Sequence, residues 1–128
     1  MKIQQSAEDY LEAILYLSEK MENVRSIDVV HHLGISKPSV SVYLKNLKLN
    51  GYISIDSNGY LSLTKQGMSI AQKIYERHNI LAQLFMSLGV SRDIAYEDAC
   101  KIEHDLSDET FEALKNHMLQ HNNTSSDN

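Results

Sequence analysis

Residues 26–63 read SIDVVHHLGISKPSVSVYLKNLKLNGYISIDSNGYLSL, and this stretch decides the fold. Ser26 is a suitable N-cap for a short helix that ends at Leu33, because Gly34 can adopt the left-handed conformation that closes a helix. Ser36 caps a third helix with Pro38 in its first turn, where a missing N–H costs nothing. The apolar stripe of this helix is Val40, Leu44 and Leu47.

Two short runs with alternating apolar residues follow, at 52–55 and 60–63. The residues between them, Asp56 to Gly59, contain an Asn-Gly pair, which is the strongest short-range signal of a β-hairpin. A short helix, a turn, a capped second helix and a hairpin form the order of a winged helix-turn-helix, whose second helix lies in the major groove of DNA. The stretch therefore predicts a DNA-binding unit.

Helical patterns continue on both sides of this stretch. The predicted helices are a first one from Ser6 to Met21, a long one capped by Thr64 and ended by Gly89, one from Arg92 to Leu106, and a last one that starts at Ser107. The fold class is mainly α: a winged helix-turn-helix with a small hairpin wing over residues 1–72, then a helical domain over residues 73–121. Residues 122–128 are polar and are predicted to be a disordered tail.

Charge is divided unevenly along this chain of 128 residues with a net charge of −5. Five lysines face one aspartate between residues 31 and 75, whereas four basic residues face ten acidic ones between residues 76 and 128. Phosphate binding needs a basic surface, so the first of these segments fits nucleic acid. A single cysteine excludes an intramolecular disulfide, and no signal peptide or apolar run of about 20 residues is present. These features predict a cytoplasmic protein with no membrane partner.

The third helix carries hydroxyl, amide and basic side chains opposite its apolar stripe. Hydroxyls and Lys45 can hold phosphates, Asn46 can pair with an adenine edge, and Val42 can pack on a thymine methyl. A merely solvated helix face has the same composition, so both interpretations stay open. The candidate DNA-contacting residues on this face are Ser39, Ser41, Val42, Lys45 and Asn46.

Three sets of residues offer metal-ligating atoms. Cys100, Glu103 and His104 have the i, i+3, i+4 spacing that places a thiolate, a carboxylate and an imidazole on one side of a helix. Asp9 and Glu12 are i, i+3 on the first helix, and His78 interrupts the apolar stripe of the long helix, where a buried imidazole needs a partner. Spacing alone leaves two interpretations open. The residues bind a metal ion, or the carboxylates are simply solvated and His78 is a core histidine that is bonded to a carboxylate.

Four motifs, in order and spacing, resemble the diphtheria toxin repressor and manganese transport regulator family of metal-dependent transcription factors. They are EDYLE at 8–12, SKPSVS at 36–41, ERH at 76–78 and EDACKIEHDLS at 97–107. The resemblance spans about residues 4–120. It implies a winged-helix domain followed by a helical domain that forms a homodimer and carries half of a metal site. It also adds Ser36 and Pro38 to the DNA-contacting residues, with Lys37 between them.

The resemblance implies six metal ligands: Asp9, Glu12, His78, Cys100, Glu103 and His104. At position 100 the manganese-sensing branch has a glutamate and the iron-sensing branch has a cysteine, so Cys100 resembles the iron-sensing branch. At position 9 the iron-sensing branch has a methionine, so Asp9 resembles the manganese-sensing branch. Ala82 and Tyr96 replace the Glu and His of the ancillary site of the iron-sensing branch. A thiolate favours Fe(II), Co(II) or Zn(II) over Mn(II). The expected cofactor is therefore Fe(II), or Mn(II) as the close second, with one or two ions per subunit.

The expected function is a transcriptional repressor of metal-uptake genes that binds double-stranded operator DNA as a homodimer when Fe(II) or Mn(II) is bound. One alternative is a winged-helix regulator that is metal-independent or gated by a small organic ligand, with Cys100 as a small buried hydrophobe. Another is a small metalloenzyme, although the chain has neither an HExxH motif nor a Gly-rich phosphate loop. A redox switch through Cys100 is compatible with metal sensing, because oxidation would remove a ligand.

Overall fold

A computed structural model describes the backbone of residues 5–126 and the side chains of residues 6–120. Its elements, in chain order, are α1 (Gln5–Lys20), α2 (Ser26–Leu33), α3 (Lys37–Leu49), β1 (Ile53–Ile55), β2 (Leu61–Leu63), α4 (Lys65–Ser87), α5 (Arg92–Ile102) and α6 (Asp108–Ser126). The chain divides into two compact units, one up to Lys73 and one from Ile74 onward, so the boundary falls within α4. None of the helices in the described part is long and apolar enough to cross a membrane.

The first unit is a winged helix, which confirms the predicted fold. Its core is formed by apolar side chains of α1, α2 and α3, among them Leu11, Ile14, Val29, Val40 and Leu44. Gly34 has a φ of 68° and closes α2, as predicted. The Ser36 hydroxyl accepts a hydrogen bond from the Ser39 N–H at 3.4 Å, which confirms the predicted cap of α3.

The cap of α2 differs by one residue from the prediction. Arg25, rather than Ser26, is the N-cap, and its backbone N–H donates to the Asp28 carboxylate at 2.9 Å. A carboxylate three residues into a helix can bond back to the cap N–H in this way. Asp28 therefore places the start of α2 one residue earlier than the small hydroxyl of Ser26 suggests.

The hairpin pairs Ile53 with Leu63 and Ile55 with Leu61 in antiparallel register. One Asp56 carboxylate oxygen accepts the N–H groups of both Asn58 and Tyr60 at 2.9 Å, which fixes the turn. The N–H of Leu61 also donates to the carbonyl of Val24 at 2.7 Å, so the segment before α2 lies along the outer side of the hairpin.

In the second unit, α4 and α5 pack through a cluster that contains three alanines. Leu81 and Ala82 of α4 are buried together with Ala95 and Ala99 of α5. Such small side chains let two helices approach closely, which brings polar residues that flank the alanines within reach of each other.

The Gly67 N–H donates to the Thr64 hydroxyl at 3.1 Å, as expected for the predicted cap of the long helix.

Two predicted boundaries in the second unit are wrong. Helix α5 ends at Ile102 rather than Leu106, and residues 103–106 form a turn. Ser107 caps α6, as its hydroxyl accepts the Thr110 N–H at 3.1 Å, but α6 then continues to Ser126 where a disordered tail is predicted from residue 122. Extending a formed helix costs little because each added residue also adds a hydrogen bond. Residues 127 and 128 of the predicted tail lie outside the described part.

Candidate metal centre and nucleic-acid interface

The second unit gathers three of the predicted metal ligands. His78 lies on α4, Cys100 on the last turns of α5, and Glu103 at the C-cap of α5. One donor atom from each lies within 4.8 Å of the donors of the other two. The closest pair is His78 Nδ1 and a Glu103 carboxylate oxygen, Oε2, at 2.9 Å.

Glu103 is the centre of this group, and its side chain is completely buried. Its second oxygen, Oε1, lies 3.4 Å from His104 Nε2, but it accepts no hydrogen bond from any residue in the described part. A buried carboxylate is costly unless its charge is compensated. Glu103 therefore presents one oxygen to each of two imidazoles and retains the capacity to bind a cation.

The donor types fit a divalent transition-metal ion. Imidazole, thiolate and carboxylate are the ligands that such ions take in proteins, and the thiolate is the softest of the three. The Cys100 side chain is exposed, so its sulfur is accessible. Because Glu103 Oε1 lacks a hydrogen-bond donor, a cation at this group would satisfy an atom that the described residues leave unsatisfied.

Of the three remaining predicted ligands, His104 directly follows Glu103 in the second unit, and Asp9 and Glu12 lie in the first unit. They are half-buried and one helical turn apart on α1, and the sequence motif alone assigns them as ligands. Tyr10, next to Asp9, stacks on Tyr43 of α3 with ring centroids 4.4 Å apart and an interplanar angle of 8°. Burial, and secondly the charge of Asp9, raise the pKa of Tyr43. This contact packs the segment of α1 that carries Asp9 against α3.

The positions that correspond to an ancillary site hold no metal donors of the expected kind. Ala82 is completely buried in the α4–α5 cluster, and Tyr96 packs on His78 with ring centroids 5.3 Å apart. Both residues have structural roles, one in helix packing and one beside the His78 ring.

The predicted DNA-contacting residues form one exposed surface on α3 and the residue before it. All eight are exposed: Ser36, Lys37, Pro38, Ser39, Ser41, Val42, Lys45 and Asn46. They lie opposite the buried stripe of Val40, Leu44 and Leu47. The Ser36 and Ser39 hydroxyls are 2.8 Å apart and form part of the helix cap, so they remain outward-facing but also have a local role.

The sequence reasoning missed a cation at the wing. The Arg25 guanidinium lies 4.8 Å from the centroid of the Tyr60 ring and 3.3 Å from its hydroxyl. The turn itself, residues 56–59, has no Lys or Arg, but this stacking places an exposed arginine beside it. No local pattern signals this contact, because Arg25 and Tyr60 are 35 residues apart and meet through the pairing of Val24 with Leu61.

A second residue was also missed. Arg77 is buried, directly precedes His78, and donates hydrogen bonds to the carbonyl oxygens of Glu103 and Leu106. These carbonyls lie at the two ends of the turn that carries Glu103 and His104. The sequence placed Arg77 in a motif but offered no means of finding its partners.

Comparisons with known proteins agree with both halves of this description. Residues 2–61 match the family model described as "Iron dependent repressor, N-terminal DNA binding domain", and residues 64–126 match "Iron dependent repressor, metal binding and dimerisation domain". The transcriptional regulator MntR of Escherichia coli O6:H1 is 36% identical over 89% of this chain and 74% of its own length.

Solved structures show the same relationship. The manganese regulator SloR is 30% identical, with a TM-score of 0.76 over 92% of this chain and 54% of the other. A manganese-dependent transcriptional repressor in complex with manganese is 26% identical, with a TM-score of 0.79 over 87% of this chain and 51% of the other. The present chain thus spans about half the length of these two solved chains.

Cys100 offers a direct test of the metal centre, because it is exposed and is the only cysteine of the chain. A thiolate that binds a metal ion is no longer a free nucleophile. We expect alkylation of the metal-free protein by iodoacetamide to be fast, and to slow by about tenfold or more with saturating Fe(II) under anaerobic conditions. Mass spectrometry of the intact protein measures the rate, with Mg(II), a poor partner for thiolates, as the control. An unchanged rate with both Fe(II) and Mn(II) would exclude Cys100 as a ligand.

Proposed function

The chain belongs to the iron-dependent repressor family of metal-dependent, DNA-binding transcription factors, and we propose that it represses metal-uptake genes when Fe(II) or Mn(II) is bound. Members of this family are transcriptional regulators and not enzymes. The first unit is the DNA-binding domain and the second is the metal-binding and dimerisation domain. The partners are therefore double-stranded operator DNA and a second copy of the chain. We further propose that it acts in the cytoplasm, where a lone thiol stays reduced.

One observation carries the proposal. Donor atoms of His78, Cys100 and Glu103 lie within 4.8 Å of one another inside the unit that matches a metal-binding domain. Two helices and a turn contribute these residues, so the cluster depends on the tertiary fold and not on helical spacing alone. A buried carboxylate with one unsatisfied oxygen at its centre gives the cluster a physical reason to bind a cation.

We propose that His104, Asp9 and Glu12 complete the ligand set, as the sequence motifs imply. The bound ion supplies positive charge that carboxylate, thiolate and imidazole donors share. Asp9 lies next to Tyr10, and Tyr10 stacks on Tyr43 of α3. A metal ion bound by Asp9 would therefore restrain α1 and, through this stacking contact, α3 as well. Metal binding then favours one arrangement of the recognition helix over a looser ensemble, and DNA must tighten metal binding by the same factor.

The choice of metal ion depends mainly on the Cys100 thiolate, which is the softest of the donors. The two solved relatives named above are a manganese regulator and a manganese-dependent repressor, whereas Cys100 of this chain brings a thiolate, which prefers Fe(II) to Mn(II). We therefore propose Fe(II) as the favoured ion, with Mn(II) as an effective substitute because the remaining donors are oxygen and nitrogen. The buried Ala82 and the packed Tyr96 favour a single ion per subunit.

We propose that the exposed surface of α3 reads the operator and that Arg25 holds a phosphate beside the wing. Dimerisation places two recognition helices about 34 Å apart, the spacing of one DNA turn. Arg25 supplies the wing with the cation that residues 56–59 lack, and its stacking on Tyr60 orients the guanidinium. The alternative, a metal-independent or ligand-gated regulator, is not favoured, because the second unit matches a metal-binding domain.

The metal dependence of DNA binding tests the proposed function. A duplex selected from a random library with Fe(II)-loaded protein and labelled with fluorescein serves as the probe for anaerobic anisotropy titrations. We expect Fe(II) or Mn(II) to tighten binding by about 5- to 150-fold, the usual range of coupling between two sites. Glu103→Ala, Glu103→Gln and His104→Ala should each abolish this metal response while the protein stays folded by circular dichroism.

The matched control is Glu97→Ala, which removes an exposed carboxylate of α5 that pairs with Lys101, at 3.5 Å, on the helix surface. Such a surface pair contributes little to stability, and this variant should keep the full metal response. Equal DNA affinity of the wild type with and without metal would contradict the proposed function. A full metal response in the Glu103 variants would show that the ligand set is wrong.

The role of Arg25 is tested by the salt dependence of binding at saturating metal. Arg25→Gln should weaken operator binding and lower the slope of log affinity against log salt by about one, as expected for the loss of one phosphate contact. Arg92→Gln is the control, because Arg92 stacks on Tyr96 at a similar 4.9 Å but lies in the acidic second unit. An Arg25 variant with the wild-type slope would remove this residue from the DNA interface.

A further inference from the structure

Arg77 makes four contacts that converge on the turn between α5 and α6. Its Nη1 donates to the carbonyl oxygen of Glu103 at 3.0 Å and to that of Leu106 at 2.8 Å. Its Nη2 forms an ion pair with the carboxylate of Asp108. The guanidinium also lies 5.1 Å from the centroid of the Phe111 ring. Three of these contacts are made to backbone or side-chain oxygens between residues 103 and 108.

Neither carbonyl group lies inside a helix, because Glu103 is the C-cap of α5 and Leu106 precedes α6. The last carbonyls of an α-helix have no intrahelical donor and must bond elsewhere when they are buried. Because α5 ends at Ile102, a continuous helical hydrogen-bond pattern no longer holds residues 103–106, although the Asp105 N–H still donates to the Ile102 carbonyl at 3.0 Å. Arg77 supplies donors to both ends of this turn from inside the protein.

This turn carries two of the proposed ligands, Glu103 and His104. Its position decides whether the Glu103 carboxylate reaches His78, and Arg77 directly precedes His78 on α4. The same helix therefore supplies one ligand and the group that holds the turn with the others. A planar guanidinium can bond to two carbonyls and a carboxylate at once, whereas the single ammonium of lysine is a compact point charge that cannot reproduce this fork.

We propose that Arg77 and Asp108 form a positioning pair that holds the 103–106 turn in the geometry required for metal binding. Neither residue is a ligand in this proposal. Arg77 acts through the backbone of Glu103 and Leu106, and Asp108, in the first turn of α6, orients the Arg77 guanidinium. The inference rests on the proposed function, since it concerns the same metal centre.

The test compares Asp108→Asn and Arg77→Lys with wild type, all as full-length metal-free protein titrated with Co(II). The absorbance of the Cys100 thiolate-to-Co(II) charge-transfer band reports both affinity and ligation. Loss of a group that orients metal ligands typically lowers affinity by about 10- to 100-fold, and we expect Asp108→Asn near the lower value and Arg77→Lys near the upper. Hydrogen exchange of the metal-free proteins should show faster exchange of the amides of residues 104–106 in both variants.

Glu76→Gln is the matched control, because Glu76 is next to Arg77 on α4 but does not contact the turn. This substitution removes the ion pair between Glu76 and Lys115 of α6, which are 2.6 Å apart. Its Co(II) affinity should stay within about twofold of wild type, as expected for a surface pair. The Asp108 side chain is 72% exposed, so Asp108→Asn is expected to fold even if Arg77→Lys does not.

The outcomes separate the two proposals. The positioning role would be overturned if folded Asp108→Asn had the Co(II) affinity, Co(II) spectrum and hydrogen exchange of the wild type. If a variant had a lower melting temperature but an unchanged Co(II) spectrum and affinity, the pair would have only a structural role. A wild-type protein that shows no thiolate-to-Co(II) band would instead overturn the proposed metal centre, and the positioning role with it.

Discussion

The buried carboxylate of Glu103 is the constraint around which the second unit is arranged. A buried carboxylate is costly unless its oxygens are compensated. Oε2 of Glu103 is hydrogen-bonded to His78 at 2.9 Å, whereas Oε1 lies 3.4 Å from His104 without a hydrogen bond. Cys100, one turn earlier, adds a thiol to the same group. Ala82 of α4 and Ala95 and Ala99 of α5 are buried together, and such small side chains favour close packing of the two helices that carry His78 and Cys100. Packing and chemistry are thus set by the same helix pair.

The uneven charge along the chain corresponds to the different partners of the two units. The winged helix presents lysines and arginine to a polyanion, whereas the unit that binds cations carries the acidic surplus. Within the first unit, Tyr10 of α1 stacks on Tyr43 of α3, so the helix that carries the proposed ligands Asp9 and Glu12 packs against the helix that we propose reads the operator. A chain with a net charge of −5 can therefore bind DNA, because the relevant charge is local and not global.

Features with a local cause were predictable from the sequence, and features with a tertiary cause were not. The Ser36 cap, the left-handed Gly34 and the Asn-Gly hairpin depend on neighbouring residues, and the structure contains all three. The turn that follows α5 accepts hydrogen bonds from Arg77, which is 26 residues away from Glu103, and no local pattern indicates this contact. The proximity of Cys100 and Glu103 could be anticipated from their i, i+3 spacing, but the approach of His78 required the packing of two helices. The six-residue ligand set came from a family resemblance, and the role of Asp9 and Glu12 in it remains a proposal.

The central claim is that Glu103 binds a transition-metal ion together with His78 and Cys100. Anomalous diffraction at the metal absorption edge, from crystals grown with Fe(II) under anaerobic conditions, tests it most directly. We expect an anomalous peak at bonding distance from His78, Cys100 and Glu103, with oxygen ligands from Asp9 and Glu12. A peak bonded to other residues, or full metal occupancy elsewhere with the His78–Glu103 hydrogen bond intact, would contradict it.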